Sequence, residues 1–264
     1  MQLVKQADVE ALLDSLCVGT ADAVLVHSDL LRFGRPEGGV GTYLAAFDTV
    51  LGEAGTLAVP GFTFSFIKTG SYHWADTRSE DMGAFAEAVR KRPGTGRTRH
   101  PLQSVAVRGP HARALTTIQT PSAYAKNGVF QAISDLDFKV VLLGAEPKHI
   151  SHSHLSEETA RVPYRFDKHV SGASVLGPGE GVQHETWSFF ARDLERDVRP
   201  AGEHIIVSEL LDQGDWTTAM LNGVRTYAGP VSKFVAALDQ RLSNDPLWMA
   251  RVSAKPERPG PSND

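Results

Sequence analysis

One cysteine, Cys17, is all the thiol that this 264-residue chain carries. An intrachain disulfide framework and a cysteine zinc site are therefore excluded. Long apolar runs are lacking: nothing approaches the ~20 residues of a membrane span. The N-terminal stretch MQLVKQADVEALLDSL carries Asp8, Glu10 and Asp14 where a secretory leader would hold an apolar segment. Positive charge is not in excess, with 27 Lys+Arg against 31 Asp+Glu, so no chain-wide nucleic-acid surface is expected. A cytoplasmic protein without membrane or nucleic-acid partners is the expectation.

Signature loops are missing too. There is no G-x-S-x-G elbow, no G-x-x-x-x-G-K-[ST] loop, and no G-x-G-x-x-G after the first expected strand. These absences set aside ordinary α/β-hydrolase, P-loop and dinucleotide chemistry. Arg35-Pro36-Glu37-Gly38-Gly39-Val40 approaches the [QR]-x-x-G-x-[GA] loop of the common acetyltransferase superfamily and fails at Val40.

What is present is a globular balance, 41% hydrophobic and 22% charged. AVLV at 23–26, GTLAVP at 55–60, Ser104 to Val107 and KVVLL at 139–143 read as short buried strands. Apolar periodicity predicts helices over 7–17, 42–51, 82–92, 110–119, 129–136, 154–161 and 231–243. Cys17 falls on the apolar face of the first, as a small core hydrophobe. HETWSFFARDL alternates like a strand, and 203–211 reads as one more strand and turn. Together these predict an α/β fold: a mixed-sheet α/β/α sandwich with a smaller β-rich lobe over about 164–215. One domain is expected over 1–253, followed by a disordered Pro-rich tail, 254–264.

Four constellations can carry chemistry. His154 and Glu157 are three apart on an expected helix, hence on one face. A carboxylate beside an imidazole orients it and favours proton uptake, the base half of a catalytic pair; the same spacing also occurs on solvated helices. His149, His152, His154 and His169 suggest metal ligands or a polar loop, and no HExxH motif or cysteine ligand supports the metal. The loop Gly34 to Gly41, with Arg32 and Arg35, is either an anion-binding turn that offers backbone amides or a flexible connection. Arg97, Arg99, His100 and Ser104 precede an apolar strand and suit phosphate recognition, or a basic turn.

In their order, these segments resemble the aminoglycoside N3-acetyltransferase family. The resemblance rests on HS-x-L at His27, G-x-L-x-x-P at Gly55, R-x-x-HP-x-x-S at Arg97 and H-x-x-E at His154, and covers about nine tenths of the chain. It implies a coenzyme A-dependent N-acetyltransferase whose fold is not that of the common superfamily. The acetyl group would pass from acetyl-CoA to an amine of an aminoglycoside antibiotic, the chemistry of resistance. His154 and Glu157 would be catalytic. The coenzyme would lie on His27, Ser28, Arg97, His100, Ser104 and Val105, with Arg32, Arg35, Gly38 and Gly39 of the glycine loop beside it. No metal is expected. Oxyanion donors are sought among the amides near Ser104 and Val105 and the Ser28 hydroxyl. Asp76, Glu80 and Asp81, with Phe64 of the aromatic loop, are the residues expected around a cationic acceptor; an anionic one would call on Lys68, Arg78, Arg161 or Arg165. Two alternatives stand: a biosynthetic N-acyltransferase for an amino sugar or amino-phosphonate type amine, and a metal-dependent hydrolase on His152, His154, Glu157 and His169. A monomer or homodimer is expected.

Overall fold

The computed structural model describes residues 2–196 and 198–252, so the expected tail and the end of the expected domain lie outside the described residues. In chain order the strands are β1 (Leu3–Val4), β2 (Ala23–Ser28), β3 (Arg35–Pro36), β4 (Thr56–Pro60), β5 (Ser71–His73), β6 (Gly96–Arg97), β7 (Val105–Arg108), β8 (Lys139–Leu143), β9 (Arg165–Val175), β10 (Gln183–Arg192), β11 (Thr217–Leu221) and β12 (Val224–Pro230). The helices are α1 (Gln6–Ser15), α2 (Val40–Leu51), α3 (Phe66–Thr69), α4 (Gly83–Arg90), α5 (Ala112–Thr116), α6 (Val129–Asp135), α7 (Ser153–Thr159), α8 (Glu203–Asp212), α9 (Val231–Asn244) and α10 (Trp248–Val252).

The seven-stranded sheet runs β11-β12-β8-β2-β4-β7-β6. Its centre is parallel, β8, β2 and β4, and its flanks are antiparallel. Successive side chains of a strand face opposite sides, and here both sides are covered. Val24 and Val26 pack with α1, α2 and α4, while Leu25 packs with the layer of α5 to α9. That double burial is why AVLV and KVVLL are continuously apolar. The expected α/β/α sandwich is therefore present, and the smaller lobe is a three-stranded sheet, β10-β9-β5.

Three readings need correction. Residues 203–211 are helix α8, not a strand: Ile206, Val207 and Leu210 are buried and recur at helical spacing, and this tertiary pattern overrides the strand preference of Ile-Ile-Val. The lobe strands accordingly end at Arg192, while 217–230 forms the β11–β12 hairpin of the main sheet. Cys17 lies just past α1 with φ +56° and is exposed, because the helix ends before the apolar face reaches it.

The central strands converge at their carboxyl ends. β2 lies between β4 on one side and β8 on the other, so the chain leaves β2 in one direction and later returns to its opposite edge. Such a reversal opens a crevice beyond the strand ends, where ligands of α/β sheets bind. The antiparallel β4–β7 pair closes the neighbouring side. Gly109 ends β7 at φ +107°, and a Cβ there would sit 2.2 Å from the Gly55 carbonyl oxygen and 2.8 Å from Thr56 Cα. Gly109→Ala is expected to cost about 2–4 kcal/mol from strain and overpacking, read as a lower urea midpoint with an unchanged slope.

Candidate active site

Gly144 turns the chain off the end of β8. Its φ is +70°, and a Cβ would meet Phe33 Cε2 at 2.7 Å and the Asp29 carbonyl oxygen at 2.9 Å, so the turn needs glycine. The chain then crosses the strand ends and enters α7, which packs on α9 through Leu155 and Leu238. His154 stands in the first turn of α7 and Glu157 one turn further on. Their side chains meet: His154 Nδ1 is 2.7 Å from Glu157 Oε2.

Glu157 is fully buried. Burial alone would raise its pKa, but the hydrogen bond and charge of His154 and the charge of Arg165 outweigh it and hold the carboxyl below the usual range. An ionised carboxylate only accepts hydrogen bonds, so Nδ1–H of His154 donates to it. Nε2 is then the ring's free lone pair. Arg165 Nη2 lies 2.9 Å from the same Oε2, and its Nη1 donates to the Phe190 carbonyl at 3.1 Å. The Tyr124 ring meets the imidazole edge-on, 5.5 Å between centroids, and stacks on Phe130 at 4.2 Å. Together these contacts hold the orientation of a half-exposed histidine.

Two clefts reach that histidine. One, of about 420 Å³, opens at the strand ends and is lined by His27, Ser28, Asp81, Gly83, Lys148 and His149, among others. The other, of about 960 Å³, lies against the β lobe and is lined by Phe64, Gln103, Tyr124, Arg165, Phe166 and Lys168, among others. His154 is the residue common to both linings.

The remaining candidate residues divide. His27 and Ser28 line the smaller cleft. His27 is buried, its Nε2 has no protein partner, and burial, with repulsion from His152 and His149, lowers its pKa to about 3; it is a neutral ring. Arg97, His100, Ser104 and Val105 are internal and line neither of these clefts. The Arg97 guanidinium donates to the Gly61 carbonyl, to Thr63 Oγ1 at 2.7 Å and to Ser104 Oγ at 2.8 Å, while the Ser104 hydroxyl donates to the Gly61 carbonyl at 2.7 Å. His100 Nε2 lies 3.1 Å from the carbonyls of Pro121 and Ser188, and the Val105 amide donates to Thr98 Oγ1 at 2.8 Å. These groups bond within the protein, and Arg97 and Arg99 line a separate hollow of about 610 Å³ with Trp74 and Glu180.

The glycine loop is likewise occupied. The Arg35 amide donates to the Gln2 carbonyl, that of Glu37 to Val4, that of Gly39 to Pro36 and that of Gly38 to Thr42 Oγ1. The loop closes the N-terminal β1–β3 pair instead of cradling an anion. Arg35 is exposed there, and Arg32 donates to the Gly144 carbonyl at 2.8 Å, bracing the turn before α7. Nor is the acidic loop gathered. Asp76 pairs with His73 at 2.9 Å, Glu80 accepts the Ser65 amide at 2.9 Å, and only Asp81 lines the smaller cleft. Phe64 does line the larger one. The metal-hydrolase set does not converge: His152 is buried against the Phe130 carbonyl, His169 is exposed on β9, and no metal-binding group of His, Cys, Asp or Glu occurs among the described residues.

Comparison with known proteins agrees with this architecture. The family model for aminoglycoside 3-N-acetyltransferase matches residues 25–242. The chain belongs to that family. Aminoglycoside N(3)-acetyltransferase VII of Streptomyces paromomycinus is 29% identical over 173 residues, 57% of this chain and 59% of that protein. The match thus spans less than two thirds of that relative. Aminoglycoside N(3)-acetyltransferase VIII of Streptomyces fradiae is 25% identical across 85% of each. The structure of AAC-IIIb in binary complex with CoASH superposes with a TM-score of 0.79 at 20% identity, covering 97% of this chain and all of that one. At that identity the likeness is one of fold. No helix among the described residues is long and apolar enough to cross a membrane.

Arg165 contacts Glu157 of the His154–Glu157 pair, and Glu203 lies near enough to feel the Glu157 charge. Sequence reasoning saw Arg165 only as a possible ligand for an anionic acceptor. Glu203, which opens α8, is 5% exposed. Burial, together with the nearby Glu157 charge, raises its pKa to about 7. The folded state therefore holds the Glu203 proton more tightly than the unfolded chain, and stability falls as pH rises from about 4.5 to about 7. Glu203→Gln removes this titration. Its stability relative to the parent is expected to improve by about 1–3 kcal/mol between pH 5 and pH 8, measured by urea unfolding at both.

Proposed function

We propose that the chain transfers an acetyl group from acetyl-coenzyme A to the amine nitrogen of a small molecule, with His154 as general base and Glu157 as its orienting partner. One observation carries the reading: a single imidazole borders both clefts. The smaller cleft suits the thioester arm, being set at the strand ends and lined in part by Lys148. His27 and Ser28 give it a polar part of its lining. The larger cleft then receives the acceptor.

The chemistry follows from the tautomer. A protonated amine has no lone pair for attack, so a neutral amine or a proton acceptor is needed. His154 Nε2 takes the proton as the new N–C bond forms, and the buried Glu157 carboxylate stabilises the imidazolium through the 2.7 Å contact. Charge grows on the acyl oxygen at the same time and needs a donor. Of the donors first considered, the Val105 amide and the Ser104 hydroxyl already bond within the protein, whereas the Ser28 hydroxyl lines the cleft. As the C–S bond breaks, His154 returns its proton to the thiolate. No enzyme-bound acyl group is required.

The names of the relatives make an aminoglycoside amino group the first acceptor to test, and an amino sugar or amino-phosphonate type amine the second. His154→Ala is expected to lower kcat for thiol release about 10²–10⁴-fold while coenzyme A still binds by calorimetry. Glu157→Gln should retain part of the activity, since it keeps a hydrogen-bonding group without the charge. A His154→Ala protein with the parent kcat would remove the assignment.

A further inference from the structure

The larger cleft has a chemistry of its own. Phe64, Phe166 and Leu194 line it and are 41%, 49% and 73% exposed. Large apolar side chains left in water along one wall mark a surface for an apolar ligand. The charged groups are unequal once their pairings are followed. Arg165 is held by Glu157, and Asp193 by Arg196 at 3.1 Å. Lys168 and Arg192 remain without an acidic partner among the described residues, in a cleft whose lining also includes Glu195. Lys168 lies over the Phe189 ring, 6.0 Å from its centroid, so cation and aromatic surface are adjacent.

A polar group awaits the reacting end. Gln103 is 6% exposed and lines the cleft that His154 borders. Its side-chain oxygen is buried with no hydrogen-bond partner in the protein. Its backbone N–H donates to His100 Nδ1 at 3.1 Å, and His100 Nε2 lies 3.1 Å from two carbonyls. A buried acceptor without a partner is costly unless a ligand satisfies it, and an amine N–H reaching it would do so.

Resting on the acetyl-transfer reading above, we infer that the preferred acceptor is an amine with an aromatic or apolar body and one anionic group. The amine lies between His154 and the Gln103 oxygen, the body on Phe64 and Phe166, and the anion toward Lys168 and Arg192. A polycation would meet two unpaired cations and one carboxylate instead of the acidic wall its ammonium groups need.

Three probes separate the possibilities: para-(aminomethyl)benzoate, its uncharged-body twin benzylamine, and kanamycin. With acetyl-CoA, thiol release is expected to give the benzoate a kcat/KM about tenfold above benzylamine, as one charge-assisted contact allows, and above kanamycin. Lys168→Ala and Arg192→Ala should each shrink the benzoate-to-benzylamine ratio, and Gln103→Leu should raise KM for both. Equal rates for the two aromatic amines, or a preference for kanamycin, overturn the inference while leaving acetyl transfer in place. Thiol release from none of the three counts against acetyl transfer itself. Calorimetry of the same probes in the presence of coenzyme A then decides the cleft: carboxylate-dependent binding weakened by Lys168→Ala upholds the inference, and its absence overturns it.

Discussion

The charge on Glu157 is the constraint around which this molecule is organised. A carboxylate with no solvent exposure is unstable as an ion unless charged donors surround it, and removing one partner of such a buried set costs about 3–5 kcal/mol. His154 comes from the same helix and Arg165 from the first residue of β9, in the β lobe. One oxygen therefore ties the sandwich to the lobe. Both clefts border His154, so the ion pair that orients the imidazole also ties together the walls around it. Glu203, beside the same cluster, shows the limit of the arrangement: burial, with Glu157 already ionised nearby, pushes the second carboxyl's pKa up to about 7.

A second buried charge has a different duty. Arg97 gathers Gly61, Thr63, Thr77 and Ser104 around one guanidinium. Gly61 and Thr63 belong to the loop that leaves β4 and carries Phe64 to the larger cleft, Thr77 follows β5, and Ser104 precedes β7. Arginine suits this because its planar fork satisfies several carbonyls at once. The consequence for reading function is direct: the R-x-x-HP-x-x-S segment looks like an anion site in sequence because it is rich in donors, and the fold turns those donors inward. The glycine loop at 34–41 misleads in the same way, since its amides bond to the N-terminal strand and to Thr42.

What the sequence made legible was local. His154 and Glu157 are one helical turn apart, so their meeting needs no knowledge of the fold, and AVLV and KVVLL are apolar throughout because both faces of the sheet are covered. Gln103, Tyr124 and Arg165 reach the site from three separated segments, and no spacing rule joins them. The acidic residues at 76, 80 and 81 are neighbours in sequence, but the chain bends between them and sends them to different partners. Residues 203–211 read as a strand because Ile205, Ile206 and Val207 are adjacent β-branched residues, whereas packing against α9 favours a helix.

The position of the histidine bears on the order of events. A base that served one cleft alone would suit a stepwise exchange, in which an acyl group is parked on the protein before the second substrate arrives. Here the imidazole borders both clefts, and the lone thiol, Cys17, is exposed beyond the end of α1. On the proposed reading, thioester and amine are held together and the nitrogen attacks directly. The rate then depends on alignment across His154, and Tyr124, Glu157 and Arg165 matter because they leave the ring one orientation. A wall that draws an acceptor's anion toward Lys168 and Arg192 acts in the same sense, by fixing the far end of the substrate so that its amine arrives at Nε2.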